Sequence, residues 1–398
     1  MEYKTFLIHG GTVLTSHREI RGGSVLVEDG IIREVFEAEA ELPDVPRIEA
    51  DGQYIAPGFI DLHIHGGGDS DFMEGTVEAF LTIAQTHARY GTTGMFPTTL
   101  SGKWDDFLRT LNVYEEAAEE NVKGSEFLGL HIEGPYLAMS QKGAQDPRYI
   151  RNPVPEEYEY VIRNFPFVKR WSIAPELPGA MEFGEFMRQH GVLTAIAHTD
   201  AIYEDVVKAH ESGFSLATHF YSAMSGVTRR NAFRFAGSIE ATYLLDAMDV
   251  EVIGDGVHLP PPLLQYIIKV KGTDRTALIT DAMRAAGMGE GPSILGTRED
   301  GLEVIVEDGV AKLPDRSSFA GSVATMDRTV RTMYRKANVS LVEAVKMASL
   351  IPARIMNIDN QKGSISPRKD ADIILFDDDI RVSATMVKGR IIYQAGRD

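Results

Sequence analysis

The stretch Phe59-Ile60-Asp61-Leu62-His63-Ile64-His65, followed at once by Gly66-Gly67-Gly68, decides the fold. It is an apolar, β-rich run ending in two histidines two positions apart, and the period of two along a strand turns both imidazoles to one face. Further runs of this kind follow at 93–97, 127–133, 168–174, 193–198, 216–220, 250–255 and 276–281. Helical patterns lie between them, for example at 77–90, 104–120, 180–190, 203–211 and 262–271. Strands alternating with helices imply parallel βαβ units. Eight such units between Gly58 and Arg354 fit an α/β (β/α)8 barrel with insertions. A doubly wound open sheet is the alternative, but neither G-x-G-x-x-G nor G-x-x-x-x-G-K-[ST] follows any run, so nucleotide binding has no motif.

The ends of the chain read differently. Short strands are expected at 5–8, 13–14, 24–28 and 31–36, with turns at Gly10-Gly11, Gly22-Gly23 and Asp29-Gly30. The same style returns at 372–376, 384–387 and 391–393. If the two ends pair, 1–57 and 358–398 form one small discontinuous β domain beside a catalytic barrel over 58–357.

Composition narrows the chemistry. The 398 residues hold 40 Lys+Arg against 58 Asp+Glu, a formal charge of −18, and no cysteine. A disulfide scaffold, a thiolate-ligated metal and a catalytic thiol are therefore excluded, leaving His, Asp and Glu as the strong metal ligands. The negative balance disfavours nucleic acid and anionic membrane as partners, so an anionic substrate needs its own arginine. At 43% hydrophobic and 25% charged residues the chain is ordinary for a soluble protein. No window reaches about 18 consecutive apolar residues, so neither signal peptide nor membrane span is expected and the default address is cytoplasmic.

With 11 histidines in the chain, one His-x-His pair is weak evidence alone. Its position strengthens it, because other runs also end in polar residues: His131-Ile132-Glu133, His198, His219, Asp255 with His258, and Asp281. Functional residues of a (β/α)8 barrel gather at the C-terminal ends of the strands. Neutral imidazoles with a carboxylate suit zinc or a related divalent ion, with a position open for water. Such an ion brings the pKa of its water toward about 7, and a neighbouring carboxylate can then take the proton. Asp281 is the candidate base, and His258 could polarise a carbonyl. His131, on the same face as Glu133, is expected just behind the ligands, with a place among them or in the packed core as the alternatives. His9, His17, His190 and His210 read as solvated residues in turns or helix ends, and His87 as a helix residue facing the core.

Longer motifs then resemble a known family. Pro57-Gly58-Phe59-Ile60-Asp61-Leu62-His63-Ile64-His65-Gly66, and Gly363-Ser364-Ile365 with Ala371-Asp372-Ile373-Ile374-Leu375-Phe376, resemble the opening and closing segments of the amidohydrolase superfamily. His131-Ile132-Glu133-Gly134-Pro135-Tyr136, Ser172-Ile173-Ala174-Pro175-Glu176, Thr218-His219-Phe220-Tyr221-Ser222-Ala223-Met224, Asp255-Gly256-Val257-His258 and Leu278-Ile279-Thr280-Asp281-Ala282 are similar to the N-acetylglucosamine-6-phosphate deacetylase family. The resemblance runs in order through nearly the whole chain. It implies that the terminal strands form a small β-sandwich, that an acetamido group is hydrolysed, and that Glu133, His198 and His219 bind a metal, with Zn the expectation. This chain also keeps His63 and His65, so one or two ions per subunit are expected.

The resemblance further implies substrate contacts at Ala144, Gln145, Ser222, Ala223, Asp255, His258, Phe319, Ala320 and Gly321. Gln145 and Ser222 stand where the family carries histidine and asparagine. Arg230 aligns with a phosphate-binding arginine supplied by a neighbouring subunit, with Arg229 and Arg234 as rivals, which implies a homodimer. The expected substrate is an N-acetylhexosamine 6-phosphate, foremost N-acetylglucosamine 6-phosphate. Alternatives are the galactosamine epimer or an unphosphorylated N-acetyl sugar, a cyclic amide or N-acyl amino acid, and a catalytically dead interaction protein.

Overall fold

Each of the eight runs overlaps a strand in the computed structural model, which describes residues 4–396 apart from the side chain of Arg230. We number these strands β1 (Phe59–Ile64), β2 (Thr92–Thr99), β3 (Leu130–Glu133), β4 (Val168–Ile173), β5 (Leu193–Ile196), β6 (Phe214–Ala217), β7 (Asp249–Ile253) and β8 (Thr276–Ile279). They pair in parallel in chain order from β1 to β8. Sheets of this kind are covered on both faces, which is why the runs are almost continuously apolar; every residue of β1 and β2 is buried.

The seam between β8 and β1 closes the barrel largely through residues just past β8. A parallel bridge joins Ile64 to Ala282. The Asp281 N–H donates to the His63 carbonyl at 2.9 Å, and the His65 N–H donates to the Ala282 carbonyl at 2.8 Å. Below them the buried Asp61 carboxylate accepts the Thr280 hydroxyl at 2.5 Å and its N–H at 3.2 Å.

Four strands end two or three residues before the sequence pattern indicates. The pattern predicts strands to Asp255, His198, Phe220 and Asp281, yet β7 stops at Ile253 and β5, β6 and β8 stop at Ile196, Ala217 and Ile279; for the last three a cause is visible. The reason is backbone geometry: His198, His219 and Asp281 have φ of 45°, 30° and 50°, which is left-handed and incompatible with a strand.

The terminal strands share one eight-stranded sheet. Ile373–Phe376 from the C-terminal part pairs antiparallel with Tyr54–Pro57, and Thr5–Leu14 pairs with Glu19–Glu28. Phe6, Ile8, Val27 and Ile55 from one end pack in the same cluster as Ile373, Leu375 and Met386 from the other. Gly10-Gly11 and Gly22-Gly23 are not turns. Thr5–Leu14 and Glu19–Glu28 run through them, with a bulge between Ile8 and Thr12 and positive φ at Gly10 and Gly22. His9 accordingly sits in a strand and bonds Ser24 Oγ at 2.9 Å. A hairpin pairing Thr228–Arg230 with Phe233–Phe235 and a three-stranded sheet over Gly291–Leu295, Leu302–Glu307 and Val310–Lys312 were not anticipated. Among the described residues no helix is long and apolar enough to cross a membrane.

The three glycines after β1 are set by packing. A Cβ on Gly67 would lie 2.5 Å from His87 Nε2, and one on Gly66 would lie 2.4 Å from the Ser70 carbonyl. His87, on helix Val77–Ala88, is fully buried; burial pushes its pKa down to about 4, so the neutral ring donates Nε2–H to the Gly66 carbonyl at 3.0 Å. Gly67→Ala is expected to destabilise the protein by about 1–3 kcal/mol, the usual penalty of overpacking. A lowered urea midpoint with an unchanged m-value is the readout; an unchanged midpoint would show that the loop can give way.

Candidate metal centre and active-site cleft

Four imidazoles and two carboxylates from five of the eight strand ends converge above the barrel. His63 Nε2 lies 3.1 Å from His65 Nε2, and these atoms lie 3.5 Å from Glu133 Oε1 and Oε2 respectively. On the other side of Glu133, His198 Nε2 and His219 Nε2 lie 3.4 Å and 3.0 Å from Oε1 and 3.2 Å from each other. Asp281 Oδ1 sits 3.2 Å from His65 Nε2 and 3.5 Å from His63 Nε2, on the side of the first pair. All six residues are buried. The sequence had expected the five ligands to come together, and Glu133 stands between the two histidine pairs.

These spacings and the donor chemistry fit a divalent cation. Zinc bonds of 2.0–2.1 Å in tetrahedral geometry separate ligand atoms by roughly 3.3–3.4 Å, within the range found here. His65 Nδ1 meets the Thr98 carbonyl at 3.2 Å and His198 Nδ1 meets the Gln141 carbonyl at 2.8 Å. A carbonyl only accepts, so both rings carry their proton on Nδ1 and can present a lone pair at Nε2. The sets His63, His65, Glu133 and Glu133, His198, His219 each offer ligand atoms close enough to share one ion.

The local field also favours positive charge. Burial alone would lower the pKa of His63, but the carboxylates of Glu133 and Asp281 outweigh it and raise it to about 10. Burial would raise Glu133, yet His63 and hydrogen bonds from His198 and His219 hold its carboxyl well below the usual range. Asp281 is likewise lowered against its burial by His63 and His65, so both carboxylates remain ionised. His131 lies behind the ligands. Its Nε2 meets Ser172 Oγ at 2.7 Å, and burial together with Arg170 pushes its pKa well down, keeping it neutral.

A cleft of about 180 Å³ opens onto this cluster. Ala144, Gln145, Ser222, Ala223, His258, Phe319 and Gly321 line it, together with His65, Glu133, His198, His219 and Asp281. The turn carrying His219, Ser222 and Ala223 has positive φ at Tyr221 (79°) and Ala223 (51°) as well as at His219. Phe319 packs on His258 with ring centroids 4.6 Å apart.

Other expected contacts lie elsewhere. Asp255 is spent on His258: Oδ2 meets Nδ1 at 2.8 Å and Oδ1 accepts the N–H groups of Val257 and His258 at 2.8 Å and 2.9 Å. Hydrogen bonds from His258 keep the Asp255 carboxyl below its usual range despite burial, and His258 Nε2 is the ring nitrogen left free of Asp255. Ala320 is fully buried, with its N–H bonded to the Ala311 carbonyl at 2.9 Å. Neither Arg229 nor Arg234 lines the cleft of its own chain, and the side chain of Arg230 lies outside the described residues.

Gln145 has a use that the sequence did not reveal. Its Nε2–H donates to Glu133 Oε2 at 2.7 Å, while its Oε1 accepts the Ser101 N–H at 2.9 Å. Leu100, Leu295 and Ser318 also reach the cleft without a sequence signal. Leu295 arrives on the three-stranded insertion, which Arg284 anchors by donating to the Ile294 and Gly296 carbonyls at 3.1 Å and 2.7 Å.

Comparison with known proteins agrees with this geometry. The model of the Amidohydrolase family matches residues 54–392. The N-acetylglucosamine-6-phosphate deacetylase of Lysinibacillus sphaericus is 32% identical over 99% of both chains. The N-acetylgalactosamine-6-phosphate deacetylase of Escherichia coli O157:H7 is 29% identical over 97% of this chain and 99% of its own. The crystal structure of N-acetylglucosamine-6-phosphate deacetylase from Pasteurella multocida superposes with a TM-score of 0.90 at 26% identity, over 97% of this chain and 99% of that one. With its eight parallel strands, its histidines and carboxylates at the strand ends and these full-length relatives, the chain belongs to the amidohydrolase family, and within it to the N-acetylglucosamine-6-phosphate deacetylases.

Proposed function

We propose that this chain is a metal-dependent deacetylase that hydrolyses the acetamido group of an N-acetylhexosamine 6-phosphate, foremost N-acetylglucosamine 6-phosphate, to acetate and the amino sugar phosphate. The observation that carries the reading is the gathering of four imidazole nitrogens 3.0–3.5 Å from Glu133, with Asp281 3.2 Å and 3.5 Å from two of them, His65 and His63, on the floor of a cleft. Glu133, His198 and His219 would hold one divalent ion, and His63 and His65 a second, with zinc the first choice for nitrogen and oxygen donors. Such an ion polarises a carbonyl and acidifies water.

The residues of the chain divide the remaining work. Asp281, ionised and at the cleft, takes a proton from water as its oxygen bonds to the carbonyl carbon. It returns that proton to the nitrogen as the C–N bond breaks, leaving acetate and a free amine. His258, its Nδ1–H donating to the Asp255 carboxylate, would act as the imidazolium and donate Nε2–H to the carbonyl oxygen where negative charge develops. Phe319 and the Ser222-Ala223 turn border the sugar.

Gln145 has both ends of its amide engaged by Glu133 and Ser101, so it offers the sugar little discrimination, and the relatives include enzymes named for each epimer. We further propose a cytoplasmic homodimer in which Arg230, on a hairpin whose Phe233 is 74% exposed, serves the partner's cleft. Residues 1–57 with 358–398 would form a domain of their own beside the barrel of 58–357, in keeping with their separate apolar cluster.

Asp281→Asn is expected to lower kcat by about 10²- to 10⁴-fold, the range for general acid–base catalysis, with circular dichroism and zinc content unchanged. Retention of more than about a tenth of the wild-type kcat would remove Asp281 from that role. In a free-amine assay over N-acetylglucosamine 6-phosphate, N-acetylgalactosamine 6-phosphate and both unphosphorylated sugars, Arg230→Ala should raise KM for the phosphorylated pair alone. Equal kcat/KM with and without phosphate would instead refute a phosphate site. Stripping the protein with chelator should abolish turnover, and zinc at 100 times its Kd should restore activity and add about 2.7 kcal/mol of stability. Full activity after exhaustive stripping would end the metal reading.

A further inference from the structure

Beneath the histidines lies a pair of opposite charges that the reaction does not use. Arg170 on β4 and Glu251 on β7 are both fully buried. Their planar groups meet through two contacts, Nη2 to Oε2 at 2.7 Å and Nη1 to Oε1. Because β4 and β7 are not neighbours in the barrel, this pair spans its lumen. Arg170 is fixed further by donating to the Leu62 carbonyl at 3.0 Å and to Thr218 Oγ1 at 2.9 Å. A buried pair of this kind is often no better for stability than apolar side chains of the same volume, so stability alone does not account for it.

Glu251 also faces the underside of a metal-ligand candidate. Its Oε2 lies 3.7 Å from His63 Nδ1, a buried nitrogen with no hydrogen-bond partner. His65 and His198 have each settled Nδ1 on a backbone carbonyl, whereas His63 has only this carboxylate beside it. A displacement of about 0.8 Å would bring the two atoms to ordinary hydrogen-bond length.

We propose that Arg170 and Glu251 are a positioning pair for the His63/His65 pocket: Arg170 holds Glu251 across the lumen, Glu251 accepts the Nδ1 proton of His63, and Nε2 is left as the lone pair for a divalent cation. The inference rests on the reading of that pocket as a cation site. Partners of this sort orient metal-binding imidazoles, and their loss typically weakens metal binding by about 10- to 100-fold.

The test uses the full chain stripped of metal and titrated with Zn²⁺ in a calorimeter, together with NMR of the imidazole protons. The wild type should take two equivalents and show a downfield, slowly exchanging Nδ1 proton on His63. Glu251→Gln should weaken one equivalent by about 10- to 100-fold, leave the other unchanged and abolish that proton. Because Glu251→Gln leaves Arg170 unpaired and could fail to fold, the double variant Arg170→Met, Glu251→Leu removes both charges. It should keep a wild-type thermal midpoint and show the same selective loss. Two ions bound with unchanged affinity by the folded double variant would overturn the proposal, as would a His63 Nδ1 proton that is absent from the wild type or persists in a folded variant. A wild type that takes only one equivalent would defeat the two-ion reading itself, while the Nδ1 proton would still decide the contact with Glu251.

Discussion

Burying the carboxylate of Glu133 near the axis of a barrel imposes the requirement from which the rest of the site follows. An ionised carboxylate left without positive charge or hydrogen-bond donors in such a place loses several kcal/mol of solvation. Here the imidazoles of His63, His65, His198 and His219 and the amide of Gln145 surround both oxygens. With Asp281 beside them, the same groups make a field that favours a proton, as the raised pKa of His63 indicates, and would suit a divalent ion. One electrostatic constraint thus serves both the fold and the chemistry.

Meeting that constraint strains the backbone. His198, His219 and Asp281 leave their strands in left-handed conformations, which for residues other than glycine cost on the order of 1–3 kcal/mol each. The surrounding structure over-determines these positions. The Thr199 N–H is bonded to the Ala223 carbonyl at 3.0 Å, and the Asp281 N–H is held by the His63 carbonyl. Such strain is concentrated where side chains must leave the sheet to meet one another above it.

Much of this was legible from residues alone. All eight barrel strands and the polar residues at their ends were readable because burial on both faces writes an apolar run and function writes its polar terminus. Gln145 shows the limit. Alignment with a family histidine points it toward substrate, and it does line the cleft, but only packing shows that its amide also bridges Glu133 and Ser101. The bond between Asp255 and His258 Nδ1 was likewise visible only in the folded chain. The polar lumen had no sequence signature, because an arginine or glutamate inside a short β run looks the same whether it points outward or finds a charged partner across the barrel.

The sequence by itself determined the barrel class, the participation of both chain ends in strands and, through the lack of any cysteine, a metal site limited to nitrogen and oxygen donors. Local pattern suffices for these, since period, turn residues and composition act over a few neighbours. Only the tertiary structure decided where the strands stop, that Gly10-Gly11 is a bulge within a strand, and how β8 closes on β1. Each of these depends on residues distant in the chain, such as Thr280 donating to Asp61, and a one-dimensional pattern contains no distances between them.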